Sequence, residues 1–327
     1  MNIAILDDYQ DCVRRLESYA LLAGHEVKVF TNSARGIGQL AIRLAPFDAL
    51  VLIQQRTSIS RLLLEKLPRL KLISQAGRVG DHIDLAAAAA RGITVTQAAG
   101  DPVAAAELTW ALIMNAMRRL PAYIGNLRDG LWQTVSTVHE RNLPGLALHG
   151  RTLCIYGYGR IGRLVAAYGR AFGMDVAIWG GEASRAAAAR DGYRIAASKE
   201  ALFAQADVLT LHLRLHEDTR GIVTAEDLAR MKPQALFVNT AHAGLVATNA
   251  LLSALQAGRP GFAALDVFDN EPLPGTSPLL QMENVLATPH LGAVEKDSYE
   301  KLLGGAFQNI VDYAQGKPCN VVTPVAV

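Results

Sequence analysis

Three glycines spaced i, i+2 and i+5 follow directly on a short β-rich run in Thr152-Leu-Cys-Ile-Tyr-Gly157-Tyr-Gly159-Arg-Ile-Gly162, and a helical pattern opens at the same point. Few folds accept that arrangement. Gly157 makes the tight turn after the strand, Gly159 lets the backbone approach a pyrophosphate, and Gly162 allows the helix to pack closely on the strand. The free amides of the helix start then face phosphate groups. Strand, glycine loop and helix together predict a βαβ unit that binds a dinucleotide.

The surrounding chain repeats the same grammar twice. Asn2 to Leu6, Glu26 to Phe30, Ala49 to Ile53, Lys71 to Ser74 and Ile93 to Thr96 are strand-like, with helical stretches between them. Such alternation implies a parallel sheet with helices on both faces. Asp101-Pro102 then sets a capping side chain before a proline, and an apolar helical pattern runs from Val103 to Leu120. Pro121 to Gly150 is polar and irregular. Beyond it come strands near Thr152 to Tyr156, Asp175 to Trp179, Asp207 to Leu211, Ala235 to Asn239, Gly261 to Asp266 and Val285 to Thr288, six strands being one complete dinucleotide-binding sheet. A last helix, Glu295 to Gln315, is followed only by the tail Val321 to Val327, so it is expected to return to the first sheet. The expected division is 1–102 plus 294–327 for one domain and 103–293 for the other.

Composition excludes other classes. At 327 residues the chain has volume for two cores. Thirty-two Lys plus Arg against thirty Asp plus Glu leave a net charge of +2, with no basic footprint for nucleic acid. No apolar stretch reaches the roughly 18 residues of a membrane span. The N-terminus reads as a strand rather than a signal peptide, which leads us to expect a cytoplasmic protein. Cys12, Cys154 and Cys319 are too widely spaced and odd in number for a disulfide framework or a zinc site.

In dinucleotide binders that use NAD, the strand after the glycine loop ends in a carboxylate that holds the adenosine ribose. Here it ends Ile178-Trp179-Gly180-Gly181-Glu182, with Ser184 and Arg185 just beyond. Two readings stand: Glu182 reaches the ribose of NAD, or the missing carboxylate leaves room for the 2′-phosphate of NADP beside Ser184 and Arg185.

Three further stretches fall at or just after strand ends of the second sheet, where ligands of open α/β sheets bind. They are Phe237-Val-Asn-Thr240-Ala241-His242-Ala-Gly, Ala264-Leu-Asp266-Val-Phe-Asp-Asn-Glu271-Pro and Ala287-Thr-Pro-His290-Leu-Gly. With Gly80-Asp-His-Ile-Asp84, Ala106-Glu107-Leu-Thr109, Leu211-His-Leu213 and Met231-Lys-Pro, these motifs follow one another over nearly the whole chain. The sequence closely resembles the D-isomer-specific 2-hydroxyacid dehydrogenases, the family of phosphoglycerate, glycerate and D-lactate dehydrogenases.

That resemblance implies two doubly wound α/β domains of parallel sheet. One is a discontinuous, flavodoxin-like substrate domain and the other a Rossmann cofactor domain, with the reaction in the cleft between them. It implies a small 2-keto or 2-hydroxy acid as substrate, a nicotinamide dinucleotide as cofactor, with NAD expected and NADP not excluded, and a homodimer whose contact involves Pro121 to Gly150. His290 resembles the acid/base and Glu271 the carboxylate that orients it. Asp266 resembles the residue that receives the nicotinamide carboxamide. Arg160, Ile161, Leu213, Thr240 and Ala241 occupy cofactor-lining positions, and the amides of Arg78, Val79 and Gly80 occupy a loop that binds the substrate carboxylate. Gln54-Gln55 lies where phosphoglycerate-specific members offer an arginine.

One position departs from the family pattern. His242 stands where the family carries an arginine, whose planar fork holds a carboxylate and polarises a ketone oxygen together. Losing a charge-assisted bond of on the order of 1.5 to 3 kcal/mol costs roughly ten- to a hundred-fold in rate. The sequence therefore also admits a cofactor-binding sensor or scaffold that has lost turnover. Among the other histidines, His25, His82, His139, His149, His212 and His216, none forms a zinc motif.

Overall fold

The computed structural model describes residues 1–34 and 36–323. In chain order the first elements are β1 (Asn2–Leu6), β2 (Glu26–Val29), α1 (Ile37–Leu44), β3 (Ala49–Ile53), α2 (Arg61–Leu64), β4 (Leu72–Ala76), α3 (Leu85–Ala90) and β5 (Thr94–Gln97). Then come α4 (Pro102–Met117), α5 (Leu120–Arg128), β6 (Thr152–Tyr156), α6 (Arg160–Ala171), β7 (Asp175–Trp179), α7 (Glu182–Arg190), β8 (Arg194–Ile195) and α8 (Lys199–Gln205). The last are β9 (Val208–Leu211), α9 (Ala225–Ala229), β10 (Leu236–Asn239), α10 (Ala250–Gln256), β11 (Phe262–Leu265), β12 (Val285–Ala287) and α11 (Lys296–Ala314). They group into two compact units, one of Met1–Asp101 together with the chain from Ala293 onward, the other Pro102–Gly292.

Unit one is a five-stranded parallel sheet in the order β2-β1-β3-β4-β5, the doubly wound order of flavodoxin-like folds. Every residue of β3 and β4 is buried, as expected of strands covered on both faces. Strand residues alternate between the two faces. Ile3, Ile5, Val51 and Ile53 pack with Leu303, Ala306, Phe307 and Ile310 of α11. Ala4, Leu6, Leu50 and Leu52 pack with Leu40 and Leu44 of α1, Leu63 and Leu64 of α2, and Ala87 and Ala88 of α3. The C-terminal helix is thus one face of this core, and each large side chain it buries contributes roughly 1.5–3 kcal/mol.

The tail does more than the sequence suggests. Gln97 donates its N–H to the Asn320 carbonyl at 3.1 Å, and Val322 donates to Val95 at 2.8 Å, with Thr96 and Val321 forming an antiparallel bridge. This covers the β5 edge, which otherwise presents unpaired backbone groups. The final residues of the predicted tail, 324–327, lie outside the described residues.

Unit two is a seven-stranded parallel sheet, β12-β11-β10-β9-β6-β7-β8. It has one strand more than the six expected. Strand β8 has two residues, too short for any periodicity, and exists by pairing Arg194 with Ala177 and Ile195 with Ile178. Its side chains hold it in register: Arg194 bonds Asp175 at 2.5 Å and Gln205 at 2.8 Å.

The helix expected from Val103 to Leu120 stops at Met117. Arg119 turns left-handed (φ 55), and Pro121 sits in the first turn of a new helix, α5, which fills the start of the stretch read as irregular. Among the described residues no helix is long and apolar enough to cross a membrane.

Candidate active site

All strands of unit two are parallel, so β6, β9, β10, β11 and β12 deliver Gly157, His212, Thr240, Asp266 and Thr288 to one edge of that sheet. The glycine loop sits at its centre, and its three glycines are held for different reasons. A Cβ on Gly157, whose φ is +104, would lie 2.6 Å from the His212 carbonyl, and one on Gly162 would lie 2.3 Å from the Gly157 carbonyl. Around Gly159 there is nothing within 4 Å. Two glycines therefore satisfy the protein, and the third leaves open space at the N-cap of the twelve-residue α6. An open cradle at uncapped helix amides fits a dinucleotide pyrophosphate. Arg160 is exposed beside it and Ile161 half-buried. Leu213 borders the loop from β9, its Cδ2 3.0 Å from where a Gly157 Cβ would be.

The loop after β12 carries the acid/base candidate. His290 has a left-handed backbone (φ 54), a conformation rare for residues with a side chain and common at functional positions. Asp266 holds it there. This carboxylate, at 0% exposure, accepts from Thr288 Oγ1 at 2.6 Å, from Leu291 N–H at 2.7 Å and from Gly292 N–H at 2.9 Å. Burial pushes the Asp266 carboxyl above its ordinary range, while these bonds and the nearby His290 pull it down. The three bonds thus direct Asp266 to the loop.

With the backbone so fixed, His290 Nδ1 lies 2.6 Å from Glu271 Oε2, both side chains about 30% exposed. The Glu271 carboxylate is fixed in turn by the Phe268 N–H, 2.9 Å from its other oxygen. A carboxylate on Nδ1 sets the tautomer and leaves Nε2 as the atom that exchanges a proton with a ligand.

The β10 loop is held by a residue to which the sequence reading assigned no role. Asn239, buried at the strand end, donates Nδ2–H to the His242 carbonyl at 2.8 Å and accepts from the Ala241 N–H at 3.1 Å. It shapes the turn Thr240-Ala241-His242. Thr109 of α4 gives its proton to the Ala105 carbonyl, so the 2.7 Å contact with Thr240 is donated by Thr240. Asn239 and Thr109 both lie inside quoted motifs, and the signal was their position beside the site, not their type. His242 is half-buried and caps the short turn Ala243–Leu245.

Glu182 is the first residue of α7 and exposed. His212 is pushed down to about 3 by burial and is neutral, its Nε2 3.1 Å from Thr210 Oγ1. In unit one, Arg78 is exposed, the Val79 N–H donates to Gln97 Oε1 at 3.2 Å, and Gly80 packs where a Cβ would meet the Gln55 amide at 2.7 Å. Arg56, next to Gln54-Gln55, bonds the Asp7 carbonyl, the Tyr299 hydroxyl and Gln54 and lies over the Tyr9 ring. No group of three or more His, Cys, Asp or Glu suited to a metal exists among the described residues.

Residues 110–292 match the family model described as "D-isomer specific 2-hydroxyacid dehydrogenase, NAD binding domain". A glyoxylate reductase from Aeropyrum pernix is 38% identical over 265 residues, 80% of this chain and 78% of that one. A D-3-phosphoglycerate dehydrogenase from Methanocaldococcus jannaschii is 35% identical over 291 residues, 89% of this chain, which spans only 53% of that relative's length. Among solved structures, a phosphoglycerate oxidoreductase from Vibrio cholerae superimposes with a TM-score of 0.93 at 52% identity, covering 97% of this chain and 99% of that one. With a matching model over more than half its length and a glycine loop, a Glu-fixed histidine and strand-end motifs at one sheet edge, the chain belongs to the D-isomer specific 2-hydroxyacid dehydrogenase family.

Proposed function

We propose that the chain interconverts a D-2-hydroxy acid and a 2-keto acid by hydride transfer. The observation that carries this reading is the 2.6 Å contact between His290 Nδ1 and Glu271, on a loop that Asp266 pins. A pure binding protein has no physical use for an aligned acid/base pair. A nicotinamide dinucleotide held by the Gly157–Gly162 loop would supply the hydride acceptor for oxidation and the hydride donor for reduction. In oxidation, His290 Nε2 takes the hydroxyl proton; in reduction, imidazolium gives it to the carbonyl oxygen. Glu271 orients the ring through its contact with Nδ1. Asp266 acts through the loop it pins, and a carboxamide contact is left to the remaining lone pair of Oδ2.

Gly157, Gly159 and Gly162 cradle the pyrophosphate, and Arg160, Ile161, Leu213, Thr240 and Ala241 line the rest of the dinucleotide. Glu182 stays a candidate for the ribose. Arg78, Val79 and Gly80 take the substrate carboxylate, the Val79 amide exchanging Gln97 for it. A cytoplasmic homodimer completes the proposal, supported by the exposed apolar side chains of Ile124, Leu127, Trp132 and Leu143 within 121–150.

Purified protein assayed at 340 nm with reduced dinucleotide against a panel of 2-keto acids, from glyoxylate upward, tests the activity. Turnover on one or more is the expected result. Tight dinucleotide binding without turnover on any would favour the sensor or scaffold reading.

His242 makes its own prediction. Its backbone is set by Asn239, so an arginine there starts from an already shaped turn. The guanidinium would add a bidentate carboxylate contact and a donor to the developing alkoxide, the latter strengthening in the transition state. His242→Arg is expected to raise kcat/KM on simple 2-keto acids at least about ten-fold, roughly 1.4 kcal/mol. An inactive arginine variant beside an active parent would show a pocket built around histidine for another substrate.

A further inference from the structure

We propose that this chain also reduces the C=N bond of 2-imino acids, formed from a 2-keto acid and ammonia or a small primary amine, giving 2-amino acids. The inference rests on the reading of the site as one for hydride transfer to 2-keto acids, and it adds a nitrogen-bearing substrate class.

Charge sets this site apart. In the sheet order β12-β11-β10 the loops after these strands are neighbours, and they carry in turn His290, the carboxylates Asp266, Asp269 and Glu271, and His242. Residues 239–245, 266–272 and 288–292 contain neither lysine nor arginine. The three loops are tied together: Asp266 donates its N–H to the Asn239 carbonyl at 3.0 Å and accepts from the Leu291 and Gly292 amides at 2.7 and 2.9 Å. Arg220 approaches from outside this set, its Nη1 3.2 Å from where a Gly244 Cβ would be. It is exposed, so water screens its charge.

A ketone oxygen gains negative charge as hydride arrives, and a guanidinium at position 242 would favour that. A protonated imine arrives with positive charge on nitrogen. A guanidinium beside it would repel it, whereas nearby carboxylates keep it in the protonated form that accepts hydride. Hydrogen-bond roles agree with the charges. Arginine has donors only, but a neutral imidazole has one nitrogen that accepts. A carboxylate 2.6 Å from His290 Nδ1 can only accept, so Nδ1 bears the proton and Nε2 of the neutral ring presents its lone pair. His242 brings a second acceptor of the same kind to the adjacent loop. Two imidazole acceptors match the N–H groups of a protonated imine.

The step balances with reduced nicotinamide dinucleotide as the reductant. The keto acid and the amine first condense in solution with loss of water. The imine carbon then takes up the hydride, the π pair of the C=N bond moves onto nitrogen, and that nitrogen keeps the proton it arrived with. The product amine afterwards gains a proton from solvent, and the dinucleotide is left oxidised.

Oxidation of NADH, followed at 340 nm with glyoxylate or pyruvate alone and with methylamine added, tests the inference. Methylamine is expected to raise the rate several-fold, with N-methylglycine or N-methylalanine identified as product by mass spectrometry. His242→Arg should reverse the preference, lowering the amine-dependent rate at least about ten-fold while the rate on the keto acid alone rises. Calorimetric titration of the NADH-loaded chain gives a second readout without turnover, because D-alanine and D-lactate are both already reduced. D-Alanine is expected to bind the parent at least as tightly as D-lactate, and His242→Arg at least about ten-fold more weakly than D-lactate. Keto-acid turnover with no methylamine-dependent rate and no amino acid product would overturn the inference and leave the hydride-transfer reading intact. So would a His242→Arg variant whose two rates rise or fall together. Turnover of neither substrate class would remove both readings.

Discussion

His290→Asn is expected to lower kcat for keto-acid reduction by about a hundred- to ten-thousand-fold while leaving dinucleotide affinity unchanged. Asparagine is the informative replacement because it tolerates the left-handed backbone that His290 adopts (φ 54), so the loop keeps its shape. The bonds from Thr288, Leu291 and Gly292 to Asp266 do not involve the imidazole and remain. What disappears is the group that moves the proton. Glu271→Gln isolates the contribution of the pairing. The glutamine keeps an oxygen near Nδ1 but loses the carboxylate that fixes the ring, so kcat should fall by about ten-fold or more while dinucleotide affinity stays unchanged. Steady-state rates, with titration calorimetry for affinity, read both variants. A parental rate in His290→Asn would end the assignment of the acid/base.

Gly159→Val should cost at least about a hundred-fold in dinucleotide affinity with the protein still folded. The backbone at Gly159 (φ −87, ψ −161) is open to a β-branched residue, and a Cβ there meets nothing in the protein within 4 Å. Any loss must therefore come from space the ligand needs, where a valine would displace the pyrophosphate from the α6 amides. Gly162→Ala supplies the contrast: its Cβ would lie 2.3 Å from the Gly157 carbonyl, so the loop itself must move and stability falls with affinity. Calorimetric binding beside thermal unfolding separates the two. Unchanged affinity in a folded Gly159→Val would show that the loop holds no phosphate.

Much of the fold was legible because its signals are local. A five-residue apolar run such as Ala49–Ile53 reads as a strand buried on both faces, and the spacing of Gly157, Gly159 and Gly162 between a β-rich run and a helical pattern is written in consecutive residues. The misses have the opposite character. Strand β8 has two residues and depends on β7 for its existence. The turn after Met117 is packed against Gly145, whose missing Cβ lets its backbone lie against Met117 and Arg118 from nearly thirty positions away along the chain. The antiparallel cover on β5 depends on where α11 leaves the tail.

The candidate site divides along the same line. Residue types and spacing by themselves determined that the chain has a glycine-rich loop between a strand and a helix, a histidine and a glutamate in strand-end motifs, and glycine where an NAD-type ribose carboxylate is expected. They also determined the doubly wound class, because period and punctuation are written along the chain. Only the tertiary structure decided that Glu271 meets His290 on Nδ1, that Asp266 spends its bonds on the loop beneath that histidine, that Asn239 shapes the turn carrying His242, and that the Arg185 guanidinium stands over the Trp179 ring. Each of these is a contact whose distance and orientation come from packing two or more elements together, and sequence spacing carries no information about an angle.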